Sequence, residues 1–316
     1  MSNRFIQIIY VPFVGVGIRP FRGDEWYHHR IEIFKKYTLA SLLNQTNRKF
    51  ILWLSFIPEV RDNPLTLELE QYLKNLGVLT FMTFTGLAYW DDKFNRGIKD
   101  KLMNLARIVR MAYQPNNLNP VHTISAFIKM LFTNKPPFNF PWKQALKGLF
   151  EGKNETLKER LTIALGHLKK NLDNPNFDWV YVSRIDSDDM FHEEFIEEVQ
   201  SFQPFPGALT CRNGYVYDSN TGQLAEWNPK TSPPFHTIIF PKQDFFDPDR
   251  YLQYFKGFKS HEDIPSVFNS QNLKGRKYCV LIHGQQISTT WLHPFKGRDI
   301  IDECEENVKT ATENTT

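Results

Sequence analysis

Cysteine, surplus charge and long apolar runs are all scarce in this sequence. The only cysteines among 316 residues are Cys211, Cys279 and Cys304. An odd count so widely spaced excludes a disulfide framework and a zinc knuckle, and it points to reduced thiols in a cytosolic protein. The 38 basic residues nearly cancel the 35 acidic ones, so no overall field favours nucleic acid as a partner. The apolar run from Phe5 to Ile18 is interrupted by Gln7, Pro12, Gly15 and Gly17. It is too short to cross a bilayer and lacks the small-residue cleavage site of a signal peptide. The expectation is a soluble, cytoplasmic chain, or one bound at most to a membrane surface. Internal repeats and long linkers are missing too. The length suits one large domain or two small ones.

What is present has a regular rhythm. Phe5 to Phe13 is short, apolar and β-branched, which predicts a buried strand. Ile31, Phe34, Thr38 and Leu42 follow at helical spacing, and Lys49 to Phe56 (KFILWLSF) predicts a second buried strand. Asn63 and Pro64 mark a helix start, with Gly77 as its stop. Val78 to Phe84 predicts a third strand. This βαβαβ alternation favours a mostly parallel sheet covered on both faces.

The rhythm breaks between about Tyr89 and Lys158. From Arg96 to Phe150 there are nine Lys or Arg residues and one acid, Asp100, so residues 89–158 read as a basic helical insertion. Ile98, Leu102, Leu105, Val109 and Tyr113 share one helical face flanked by Lys99, Lys101, Arg107 and Arg110. Such a helix suits an anionic membrane or a lipid-linked acceptor, and equally ordinary core packing with a solvated basic face. Leu161 to Leu172 resumes the helical pattern, and Asp178 to Ile185 (DWVYVSRI) predicts a fourth strand. FHEEFIEEVQSF then reads as a helix capped by Asp188 or Asp189. ALTCRNGYVYDSNTGQLAEW predicts a hairpin turning at Asp218 to Gly222.

Asp186-Ser187-Asp188-Asp189 stands where the fourth strand meets that helix. Ligands of open α/β sheets bind at the carboxyl ends of strands. Several hard oxygen ligands there can hold Mn²⁺ or Mg²⁺, which in turn grips a diphosphate. Alternate residues of an extended segment point the same way, so Asp186 and Asp188 are expected to converge. Arg184 precedes them on that face, in reach of a phosphate or a carboxylate. The competing reading is an acidic surface turn that caps a helix. An EF-hand loop is excluded, because Met190 and Phe191 stand where further ligands would be needed.

At these residues the chain resembles a known group. RIDSDDMFHEEFI is similar to the metal-binding DxD segment of glycosyltransferases with the GT-A fold, and within them to the bacterial rhamnosyltransferase family related to family 2 transferases. Trp26 and Arg30 leading into IFKKYTLASLLNQTNRKFILWLSF, then RNGYVYD, then IHGQQISTTW agree with it. The resemblance covers most of the chain except the basic insertion. It implies one GT-A-type α/β catalytic domain over residues 1–303, with the insertion 89–158 inside it and a polar tail at 304–316. It implies a nucleotide-diphosphate sugar as donor and a glycan hydroxyl as acceptor; a lipid-linked acceptor and contact at the inner face of a membrane are expectations drawn from the basic insertion. Asp186 would contact the nucleotide or its metal. Asp188 and Asp189 would bind Mn²⁺ or Mg²⁺ with help from a late histidine, His283.

Three further features are weighed. An inverting transferase needs a carboxylate to take the acceptor proton. Ser260-His261-Glu262-Asp263 is similar to the Glu-Asp motif of family 2 enzymes, so Asp263 is expected as the base and Glu262 as its rival. A plain helix-capping acid is the alternative. Gly15-Val16-Gly17-Ile18-Arg19 is similar to the GxGxR loop of sugar nucleotidyltransferases, which makes Arg19 and Arg22 candidate phosphate contacts on the donor side. A plain strand–helix turn fits it as well. His293, followed by Pro294, is a weaker rival to His283. Other functional classes stay open: a sugar nucleotidyltransferase that releases pyrophosphate, and a non-catalytic carbohydrate-binding module indifferent to metal.

Overall fold

The computed structural model describes residues 4–13, 19–87, 157–172, 176–258, 260–283 and 300–301, the side chains of 19–23 and 300 excepted. In the first strand, β1 (Phe5–Pro12), the side chains of Ile8, Ile9, Tyr10 and Val11 are all fully buried. Successive side chains point to opposite faces, so burial of every one requires a central strand covered on both sides. Ile9 and Val11 accordingly join one apolar cluster, while Ile8 and Tyr10 join another.

Strand β2 (Ile51–Ser55) pairs parallel with β1, and β3 (Thr80–Thr83) pairs parallel with β2. The chain then returns to the other side of β1, where β4 (Trp179–Arg184) also runs parallel. Beyond β4 lies β9 (His236–Pro241), antiparallel to β4 and to β6 (Gly207–Thr210), and β10 (Ser270–Asn272) pairs parallel with β6. The strand order is β10-β6-β9-β4-β1-β2-β3, with β9 alone reversed. This is the expected α/β class: a mostly parallel sheet between helices.

Helix α1 (Arg19–Ile33) continues through a π-helical stretch (Phe34–Leu39) into α2 (Ala40–Leu43). The expected face is the buried one, since Ile31, Phe34, Thr38 and Leu42 are all inside. Helix α3 (Pro64–Asn75) starts as predicted, the Asn63 side chain accepting from the Leu65 amide, and the chain leaves it through Gly77 at φ +69°. The Tyr27 hydroxyl meets the Thr66 hydroxyl at 2.7 Å and ties α1 to α3. On the opposite face of the sheet, α4 (Leu157–Asn171) buries Leu161, Ala164, Leu165 and Leu168. Apart from Leu157 and Lys158, the insertion 89–158 lies outside the described residues, as does the tail 304–316.

A second sheet orders β12 (Ile300–Ile301), β8 (Leu224–Trp227), β7 (Asn213–Asp218), β11 (Arg276–Ile282) and β5 (Met190–Phe191). The predicted hairpin is β7–β8, turning through Gly222 at φ +75°. Its expected first arm is corrected, because Gly207–Thr210 pairs in the first sheet.

The helix expected directly after the acidic run is also corrected. Met190 and Phe191 pair with Cys279 and Tyr278 of β11, and helix α5 begins only at Phe195 and ends at Ser201. Its N-cap, Glu194, gives no side-chain cap. Gln45 does part of that work from outside: its Oε1 accepts from the Ile196 amide at 3.0 Å, and its Nε2 donates to the His192 carbonyl at 2.8 Å. The Gln-Thr pair after α2 is thus a clasp between two helices. Neither Asp188 nor Asp189 caps α5.

Candidate functional site

The chain builds outward from β1 to β3 on one side and restarts at β4 on the other, so the strand order reverses between β1 and β4. Crevices at such a switch point, outside the carboxyl ends of the strands, are where open α/β sheets bind ligands. The acidic run lies there. Ile185 donates to the Tyr10 carbonyl at 3.1 Å, the last bond of the β1–β4 ladder, and the chain then turns, Asp189 N donating to Asp186 O at 3.2 Å. The segment is a turn, so the expected alternation of an extended strand is absent. Asp186 keeps a third of its side chain exposed, and Asp188 only 12%.

Asp188 is held by Arg30, which projects from α1. Nη1 and Nη2 of the guanidinium donate to the two carboxylate oxygens at 2.5 and 2.8 Å, and Nε donates to Ser187 Oγ at 3.0 Å. Ser187, fully buried, donates in turn to the Phe13 carbonyl at 3.1 Å at the end of β1. His283 Nε2 stands 3.2 Å from Asp188 Oδ2. Burial alone would raise the Asp188 pKa, but Arg30 and His283 outweigh it and hold the carboxyl below its ordinary range. The His29 ring lies 5.7 Å from the His283 ring, and burial followed by His283 and Arg30 lowers its pKa.

Asp189 behaves differently. Its Oδ1 accepts from the Leu281 amide of β11 at 3.1 Å, so it fastens the turn to the second sheet. Burial, then the neighbouring Asp188 and Asp186, push its pKa well above the ordinary carboxylate value.

The three residues expected to bind a divalent ion, Asp188, Asp189 and His283, do fall in one cluster, but they do not fit one as ligands. Both Asp188 oxygens are engaged by a guanidinium, His283 Nε2 is turned to the same carboxylate, and Asp189 holds a backbone amide. Among the described residues, no group of three or more His, Cys, Asp or Glu side chains is arranged to hold a metal.

Asp186 is the carboxylate nearest to solvent. It accepts from Arg184 Nη2 at 2.6 Å, and Arg184 Nη1 donates to the Pro234 carbonyl at 3.2 Å. Arg184, expected to reach a phosphate or a carboxylate, therefore reaches a carboxylate. His236, opposite Arg184 in the β4–β9 ladder, is fully buried, and burial, then Arg184 and His261, lower its pKa well below the ordinary value. His261 lies in the field of both Arg184 and Asp186, with a ring nitrogen 2.7 Å from the Ser232 carbonyl. Glu262 is exposed and accepts from Thr231 Oγ1 at 2.9 Å. Asp263 Oδ2 accepts from the Ser260 amide at 3.0 Å and completes a capping box.

Arg19 and Arg22 belong to the first turns of α1, but their side chains lie outside the described residues, as do Gly15, Gly17 and His293. Sequence reasoning gave no site role to Ser187 or His29, and it met Arg30 only among the residues that carry the resemblance. A signal for Arg30 was there. It sits on the stripe of Tyr27, Ile31, Phe34 and Thr38, and a cation on a buried helical face needs a buried counter-ion.

No family model matches the chain, and neither does any curated protein. Among solved structures it is similar to a protein of Desulfovibrio desulfuricans described, provisionally, as a nucleotide-diphospho-sugar transferase. The two share 10% identity at a TM-score of 0.31, over 89% of this chain and 82% of that one. So distant a likeness leaves the function of this chain to its own residues.

Proposed function

We propose that the chain is a glycosyltransferase that moves a sugar from a nucleotide-diphosphate donor to a hydroxyl acceptor. The observation that carries this reading is the position of the Asp186–Asp189 turn, at the switch point between β1 and β4 and braced from three sides by α1, β11 and the Arg184–Pro234 contact. A preorganised polar site at that place suits a phosphorylated ligand. Asp186, the most open of the carboxylates, faces the nucleotide, and Arg184 and Arg30 supply fixed positive charge beside the leaving diphosphate. Arg19 and Arg22, at the start of the helix that follows β1, are the further phosphate contacts in this reading.

In the reaction the acceptor oxygen forms a bond to the anomeric carbon. The bond from that carbon to the diphosphate breaks, and the acceptor proton passes to a carboxylate. Asp263 is the proposed base and Glu262 the alternative, as the resemblance implies. Inversion at the anomeric carbon, a rhamnosyl donor and a Mn²⁺ or Mg²⁺ requirement rest on the resemblance alone. A lipid-linked acceptor with membrane contact rests on the basic composition of the insertion 89–158.

The experiment is a screen of nucleotide sugars, with and without simple glycan acceptors, for release of nucleoside diphosphate. Release stimulated by an acceptor is the expected result. Pyrophosphate release from a nucleoside triphosphate would instead select a nucleotidyltransferase, and glycan binding without turnover a carbohydrate-binding module.

A further inference from the structure

Each acidic side chain of the turn already has a partner within the protein. Asp188 takes two bonds from Arg30, Asp186 takes one from Arg184, and Asp189 takes the Leu281 amide. Two guanidinium groups therefore stand against the turn's two arginine-bonded carboxylates, and the third carboxyl is buried against the backbone. A divalent ion placed on Asp188 would displace Arg30, whose residue is only 6% exposed, and leave that cation buried without its counter-ion. Removing one partner from a buried pair is strongly destabilising.

We propose that this site binds nucleoside diphosphate without a divalent ion, with Arg30 as the resident cation at Asp188. The inference rests on the transferase reading and sharpens it. Guanidinium has five N–H bonds. One from Nε goes to Ser187, and one from each terminal nitrogen goes to Asp188. The planar fork is thereby oriented by Asp188 and Ser187, and its remaining N–H bonds are of the type that recognises phosphate oxygens. Unlike a bound ion, this cation cannot be removed by a chelator.

The test is calorimetric titration of the full chain with UDP, GDP and dTDP, first in excess chelator and then in Mn²⁺ or Mg²⁺. The nucleotide that binds is expected to show the same Kd in both to within about threefold. Paramagnetic resonance of Mn²⁺ added to the protein alone is expected to show free ion only. Binding that appears only with the ion, or Mn²⁺ held by wild type and released in Asp188→Asn, overturns the inference and leaves the transferase reading standing. Failure of every nucleotide to bind under either condition overturns both. Arg30→Gln supplies a second arm: nucleotide binding in chelator should fall about tenfold or more, and freeing Asp188 should make it respond to Mn²⁺. The wild-type comparison decides the matter even where that variant does not fold.

Discussion

Arg30 and Asp188 meet through hydrogen bonds of 2.5 and 2.8 Å, one from each terminal nitrogen, so helix α1 is bound to the acidic turn by a buried bidentate pair. Adjacent residues in the run consequently have opposite roles in stability. Asp188→Asn should cost about 3–5 kcal/mol, since it strands a buried guanidinium. Asp189→Asn keeps an acceptor for the Leu281 amide and removes a charge that burial disfavours. Because the Asp189 pKa is raised in the fold, its charged form weighs against stability more as pH rises, so the Asn variant should gain on wild type with increasing pH. Urea unfolding at acid and neutral pH measures both. Equal losses in the two variants would mean that Asp189 is an ionised, paired group.

Asp186 should separate binding from stability. Its pair with Arg184 is a third exposed on the carboxylate side, and such pairs contribute about 0–1 kcal/mol. Asp186→Asn should therefore leave the unfolding midpoint nearly unchanged while nucleotide affinity falls about tenfold, the worth of one hydrogen bond to a charged group. Both quantities are to be taken on one preparation. Unaltered affinity would place the nucleotide elsewhere.

Asp263 carries two roles that one substitution can divide. As a cap it accepts from Ser260 N, and Asn can still accept there, so Asp263→Asn should cost no more than about 1 kcal/mol. As a general base it should lose roughly 10²–10⁴ in transfer rate while donor affinity stays within a few-fold. Turnover that survives in Asp263→Asn and collapses in Glu262→Gln would move the base to Glu262. Full turnover in both would leave the run as a cap only.

His236 makes the fold sensitive to mild acid. Its pKa is depressed by burial, then by Arg184 and His261, so the native state holds it neutral while the unfolded chain protonates it near the ordinary value of 6.5. Its contribution is thus complete above that pH and is lost as pH falls below it, with a limiting slope of about 1.4 kcal/mol per pH unit for one proton. Unfolding free energy measured from pH 7.5 downward should show this slope, and His236→Asn should flatten it whatever its effect on absolute stability. An unchanged slope in the variant would assign the acid sensitivity to other groups.

Local pattern was enough for the strands and helices around the site. The apolar runs at Phe5, Lys49, Val78 and Asp178 all hold strands of the first sheet, and Asn63 caps α3 as its chemistry dictates. Pattern failed after Asp189. There FHEEF has helical spacing, yet Met190 and Phe191 are drawn into β-pairing with Cys279 and Tyr278, nearly ninety residues later in the chain. It failed again for the orientation of the aspartates, because alternation holds only while the chain stays extended, and the chain turns at Ser187.

Residue order was enough to specify a mostly parallel α/β sheet with an acidic run at the carboxyl end of its fourth strand. Those outcomes depend on hydrophobic period and turn chemistry, which act over a few residues. What Asp188 and Asp189 do there depends on contacts made far along the chain. Arg30 reaches Asp188 across 158 positions, Leu281 reaches Asp189 across 92, and His283 reaches Asp188 across 95. The proton affinities of Asp188 and Asp189 depend on which of these distant groups the fold places within about 3 Å of them.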